Sequence, residues 1–228
     1  MPTELPRACH LEGLRTAMVA FVRYADRAGL DAPVPTCPGW TVRDLVAYQG
    51  EAHRSAARLL RGDEPVPTEV MTGDPVEWLR EGAIELVEAI TRSPQPFWAR
   101  RACHQTTVRA VDALAAVFGR APDPGETWIE TDLAVDGIDE LLTGFATRPT
   151  SRLRSDRPGV LVVAPDDVPD WWLVRIGPGP ADAIRGTGTL PDLPVADWEL
   201  DGTSVALYLA LWDRSTPPLH IDPTCQTG

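Results

Sequence analysis

The chain has 228 residues, 43% of them apolar, with 23 prolines and 18 glycines; that suits one large domain or two small ones joined by many defined turns. Its 33 acidic residues against 21 basic ones give a net charge of −12, with no basic cluster longer than Arg100-Arg101, which excludes the clustered cations that nucleic acid or anionic lipid would need. No apolar run approaches the ~18 residues that cross a bilayer, and the segment MPTELPRACHLEGLR lacks the pattern of a secretory signal, so the expectation is a cytoplasmic protein.

In chain order, Leu11, Leu14, Met18, Phe21, Val22 and Ala25 recur at helical spacing, and Gly29 stops the run. After the loop DAPVPTCPGW, Thr41 and Asp44 form a capping-box variant that starts a second helix. Leu45, Tyr48, Ala52, Ala56 and Leu59 read as its main apolar face, with Val46, Gly50, His53, Ala57 and Leu60 beside it. A loop RGDEPVPTEVMTG precedes Asp74, the N-cap of a third helix with Pro75 at its first position and Glu77 three after the cap. Val76, Leu79, Ala83, Leu86, Val87 and Ile90 are its core stripe. The fourth helix spans Phe97 to Phe118 and ends at Gly119. TWIETDLAVDGIDELLTGFATR reads as a fifth helical segment despite Gly137 and Gly144.

Beyond Arg148 the pattern changes. GVLVVAP, DWWLVRIGPG and VADWELDG read as strands, and TSVALYLALWDR as a helix capped by Thr203 or Ser204. Trp171, Trp172 and Trp198 read as packing surfaces, and the tail from Ser215 as loose. These elements predict an α+β protein: an antiparallel four-helix bundle over residues 1–150 and a small α+β domain over 151–228.

Cys9, Cys37, Cys103 and Cys225 are too far apart for zinc-ribbon spacing and too few for a disulfide scaffold. The expectation for each is a buried or incidental thiol. His10 and His220, near the termini, read as incidental.

The fourth helix, HQTTVRAVDALAAVFG from His104, is apolar except for a line of Gln105, Arg109 and Asp112, placed on one face by spacings of four and three. A solvent-facing stripe, a satisfied ion pair or an anion site would each account for it.

CPGWTVRDLVAYQGEAHR, followed by a His-led fourth helix ending in VDA, resembles the mycothiol-dependent maleylpyruvate isomerase family, among the DinB-like metal-binding bundles. GIDELLTGFATRP and WWLVRIGPG…GTGTL…LYLALWDR resemble that family's second half. The resemblance implies a DinB-like bundle followed by a sterol-carrier-like domain. It also implies one divalent metal, usually zinc, held by three side chains. One is a histidine eight residues after the tryptophan of P-G-W, and here that position is Tyr48. The others are the acid and second histidine of an H-E-x-x-x-H-R-x-D-A pattern, and here they are Gln105 and Arg109. Glutamine is a poor zinc ligand and guanidinium cannot bind a cation. The substitutions argue against zinc and predict no metal at the family's position. A rebuilt site from His53, His104 and Cys103 is the alternative.

On this reading Tyr48, Arg109 and Asp112 are the candidate catalytic groups, and Gln105, His53, His104 and Trp40 the candidate substrate-binding ones. The expected partner is a small molecule: an anionic metabolite or thiol conjugate, clamped by Arg109 and processed by metal-independent acid–base chemistry. No cofactor is required, and mycothiol stays open as a thiol cofactor. A non-catalytic binding or resistance protein, and a bundle whose cavity Tyr48 helps to fill, are the competing readings.

Overall fold

Thr41 starts a helix because its hydroxyl accepts the Asp44 backbone N–H at 3.4 Å, while the Asp44 carboxylate accepts the Thr41 N–H at 2.8 Å. That reciprocal pair satisfies donors which a helix start leaves orphaned, and it fixes α2 at Val42–Arg61. The protein is seen in a computed structural model that describes residues 5–64, 71, 73–188, 196–215 and 219–221. Most of the loop expected at 61–73, and Cys225, lie outside those residues. Helix α1 spans Arg7–Ala28, α3 Pro75–Arg92 and α4 Pro96–Phe118. Asp74 caps α3 by accepting the Glu77 N–H at 2.9 Å, and Gly119 ends α4 with φ +68°, a conformation that costs glycine little.

The four helices pack as a bundle in which α1 lies against α3 and α4, and α2 against the same two. The buried face of α2 differs from the stripe predicted from its apolar residues. Tyr48 and Leu59 are exposed, and the interior face carries Val42, Leu45, Val46, Gln49, Gly50, His53 and Ala57. Polar Gln49 and His53 turn inward because they bond to each other and to α4, which offsets the cost of burying them. Arg54 is buried against α3: its Nη1 donates to the Trp78 carbonyl at 2.7 Å and its guanidinium lies 3.6 Å from the indole centroid. Helices α2 and α3 meet closely there. A Cβ on Gly82 would stand 2.8 Å from the Gly50 carbonyl oxygen and 2.6 Å from Arg54 Nη1.

The chain divides into two compact units, Leu5–Pro122 and the part from Asp123 onward. The fifth helical segment, α5 at Thr131–Asp139 with a π-helical continuation at Glu140–Phe145, belongs to the second unit, whereas the predicted division at 150 grouped it with the bundle. The strands are β1 Gly159–Pro165, β2 Asp170–Ile176, β3 Asp182–Thr187, β4 Trp198–Gly202 and β5 Leu219–Ile221, in the order β3-β2-β1-β4-β5. β1 and β4 run parallel and the other pairs antiparallel. Helix α6, Ser204–Leu211, is capped by Thr203, which accepts the Ala206 N–H at 3.3 Å. Trp172 packs inside, its indole N–H donating to Asp139 Oδ1 at 3.1 Å. Within the tail from Ser215, expected to be loose, Leu219–Ile221 pairs with β4 as β5 (Trp198 opposite Ile221, Leu200 opposite Leu219); residues 216–218 and 222–228 lie outside the described residues. The class is α+β, as the element pattern predicts.

Candidate functional site

The loop between α1 and α2 folds back on itself. The Cys37 N–H donates to the Val34 carbonyl at 3.0 Å, the Trp40 N–H to the Cys37 carbonyl at 3.0 Å, and the Val34 N–H to the Trp40 carbonyl at 2.9 Å. Thr36 and Cys37 thereby reach α4. The Thr36 hydroxyl donates to Asp112 Oδ1 at 2.6 Å, and Arg109 Nη1 donates to Asp112 Oδ2 at 2.8 Å. The same Nη1 lies 3.4 Å from Cys37 Sγ.

Two aromatic rings complete the setting. The Arg109 guanidinium carbon is 5.0 Å from the Tyr48 ring centroid and 5.7 Å from that of Trp40, and those two rings meet edge to face at 5.4 Å. Both distances are within the range of cation–π attraction. Asp112 is fully buried, while the Arg109 side chain retains 19% of its exposure and Tyr48 is 44% exposed. Tyr48 therefore does not fill the bundle's interior. Among the described residues, Arg109 Nε and Nη2, the Tyr48 hydroxyl and the Gln105 amide make no hydrogen bond. One edge of the guanidinium is anchored and the other is open.

The remaining candidates lie elsewhere in the bundle. His53 is buried: its Nε2 lies 2.8 Å from Gln49 Nε2 and 2.9 Å from Thr106 Oγ1. Burial, with a smaller contribution from the Arg54 charge, pushes its pKa down to about 3, so it is neutral near pH 7. His104 is buried with its ring edge-on to His10, at 6.3 Å between centroids. A ring nitrogen of one lies within 4.8 Å of a ring nitrogen of the other. His10 is thus not incidental. Its place on the stripe His10, Leu14, Ala17, Met18, Phe21 is the signal that marks it as interior. Among the described residues Cys103, His104 and His53 do not gather as a metal-sized group. Gln49, Thr106, Thr36 and Cys37 join these clusters although the sequence reading gave none of them a role in the site.

At the three positions that the resemblance assigns to metal ligands stand a phenol, an amide and a guanidinium, those of Tyr48, Gln105 and Arg109, and a guanidinium has no lone pair to offer a cation. Arg109 is moreover committed to Asp112 and Cys37. These residues do not fit a divalent ion. A separate apolar groove of about 840 Å³ between α1 and α3, lined by Met18, Val19, Val22, Ile84 and Val87, contains none of the candidate residues.

The order of elements, a helical bundle followed by a mixed five-stranded sheet, defines the class of protein. The model of the mycothiol maleylpyruvate isomerase N-terminal domain matches residues 11–128, and that of the MDMPI C-terminal domain matches residues 132–226. The chain belongs to this family. Crystal structures of the mycothiol-dependent maleylpyruvate isomerase share the fold. A histidine-to-alanine variant superposes with a TM-score of 0.55 and a second structure with 0.51. Each is 15% identical, with 96% of this chain and 95% of the other covered. No curated protein matches the chain. No helix among the described residues is long and apolar enough to cross a membrane.

Proposed function

We propose that the protein binds a small carboxylate-bearing metabolite or thiol conjugate at Arg109 and acts on it by acid–base chemistry that needs no metal. The observation that carries this reading is the division of the guanidinium. Nη1 is fixed by Asp112, itself buried and bonded to Thr36, so the planar group is aimed before any ligand arrives. Nε and Nη2 form the fork that matches a carboxylate in bidentate geometry. The Tyr48 ring lies 5.0 Å from the guanidinium carbon and Gln105 is one helical turn before Arg109 on α4; on this reading the Tyr48 hydroxyl gives or takes the proton. Solved relatives are mycothiol-dependent, which supports a thiol conjugate, or mycothiol itself, as a ligand class. Turnover separates the enzyme from a binding or resistance protein built on the same clamp.

Calorimetry with levulinate, a saturated keto acid, tests the clamp. Arg109→Met should weaken binding at least about tenfold, since a charge-assisted pair contributes ~1.5–3 kcal/mol. Unchanged affinity would remove Arg109 from the site. Metal content of the purified chain, after zinc loading and dialysis, tests the second half: the expected result is no stoichiometric zinc. Zinc retained by the native chain and lost on His10→Ala or His104→Ala would place a metal at that imidazole pair and overturn metal independence.

A further inference from the structure

We propose that the apolar face formed by α1 and α3 is an interface for a second copy of this chain, the two copies meeting about a two-fold axis with like helices antiparallel. The inference goes beyond the anion site and does not depend on it, since the face carries none of the residues assigned there.

The face is built from side chains that the bundle leaves outside its core. Val19 is 70% exposed and Ile84 60%, and with Val22 and Val87 they line the groove of about 840 Å³ between the two helices. Contiguous exposed apolar surface marks an interaction site, whereas scattered single residues do not. Helices α1 and α3 run in opposite directions, because Arg7 at the start of α1 donates to the carbonyl of Ile90 near the end of α3.

The charge pattern selects the occupant. In chain order each helix presents a base, then exposed aliphatic side chains, then an acid. On α1 the order is Arg15, Val19, Val22 and Asp26; on α3 it is Arg80, Ile84 and Glu88. Spacings of three and four keep each set on one helix face. An antiparallel copy of the same helix reverses the order. Arg80 then meets Glu88 of the second copy, Arg15 meets its Asp26, and Ile84, midway between Arg80 and Glu88, packs on its own counterpart. A two-fold contact makes every such pair twice. Within one chain three of these charges make exposed pairs, Arg15 with Glu12 at 3.4 Å, Arg80 with Glu77 at 3.3 Å and Glu88 with Arg92 at 3.5 Å. Pairs of that kind contribute little in water and exchange readily. The four apposed helices form a second antiparallel bundle, with Val19, Val22, Ile84 and Val87 of each copy as its core.

The net charge of −12 opposes self-association over most of the surface. This groove is different: with Arg23 it carries three arginines against two acids. A small amphipathic anion is the competing occupant, and it would set its own charge against Asp26 or Glu88. A second copy turns both acids into partners.

Sedimentation velocity on the full chain, over a concentration series at ~0.15 M salt, should show a monomer–dimer equilibrium. Ile84→Glu should weaken the dimer at least about tenfold, because each substitution enters the contact twice. Arg80→Glu should weaken it by a similar factor, setting glutamate against Glu88 of the second copy. Combining Arg80→Glu with Glu88→Arg should restore association, since the reversed order is again self-complementary. Ile84 and Arg80 are exposed, so an unchanged circular dichroism melt separates lost association from lost folding. A chain that stays monomeric throughout, a dimer indifferent to Ile84→Glu, or an Arg80→Glu defect that the charge swap does not repair would overturn the proposal. So would a monomer that binds laurate and loses it on Ile84→Glu, which would give the groove to an amphipathic anion instead.

Discussion

His53 is neutral because the bundle gives its charge nothing to replace water. Its pKa falls from an ordinary 6.5 to about 3 through burial first and the Arg54 charge second. The unfolded chain therefore binds a proton that the folded chain refuses between those two pH values. Stability from this group is complete above pH 6.5 and declines as pH falls toward 3. The loss is about 2 kcal/mol by pH 5. Urea midpoints at pH 7.5 and pH 5 should thus differ more for the native chain than for His53→Gln, which cannot titrate; parallel shifts would mean that His53 is not the responsive group. Asp112 presents the complementary case. It is fully buried and paired with Arg109 and Thr36, so Arg109→Met leaves a carboxylate with one fewer partner. Restoring neutrality with Asp112→Asn in the Arg109→Met background should recover about 1–3 kcal/mol of the lost stability, checked by the same denaturation.

Helix boundaries were legible because their causes are local. Thr41 with Asp44, Asp74 with Pro75, Gly119 and Thr203 each act within four residues of the ends they define. Helix faces were less legible where polar groups point inward. Apolar spacing put Tyr48 and Leu59 on the core face of α2, whereas the interior is claimed by Gln49 and His53, whose partner Thr106 lies on another helix. The strand β3 carries aspartate, arginine and glycine, and β5 has three residues; β3 exists by pairing with the preceding β2 and β5 by pairing with β4, context that their own composition does not display. The site divides the same way. Arg109 and Asp112 share a helix face and could be read as a pair, but Thr36 and Cys37 reach them across 76 and 72 residues of chain. Two substitutions separate these levels. Thr41→Ala should cost ~1 kcal/mol, the ordinary value of an N-cap. Gly82→Ala should cost more, ~1–3 kcal/mol, because its new carbon meets the Gly50 backbone, which cannot rotate away. Thermal denaturation ranks them, and an equal or reversed order would mean that α2 and α3 part more readily than their contact implies.

At the scale of the molecule, the net charge of −12 and the anion site proposed at Arg109 pull in opposite directions. They act over different distances. The guanidinium meets a carboxylate at contact, inside the ~8 Å screening length of physiological salt, whereas the excess of acidic residues acts over tens of ångströms and is felt fully only when that length is ~30 Å, near 10 mM salt. Raising salt from ~10 mM to ~0.15 M should therefore remove more repulsion than attraction. Levulinate binding should tighten severalfold at most, chiefly through a faster association rate, since long-range fields govern encounter more than release. Stopped-flow fluorescence, with Trp40 beside Arg109 as the reporter, gives both rates. A neutral amide of the same acid should show no such trend. Should levulinate instead associate more slowly as salt rises, the field at the mouth of the site is positive despite the whole-chain charge. Local cations would then outweigh the acidic surface, and the substrate would be steered toward Arg109 from a distance as well as held on contact.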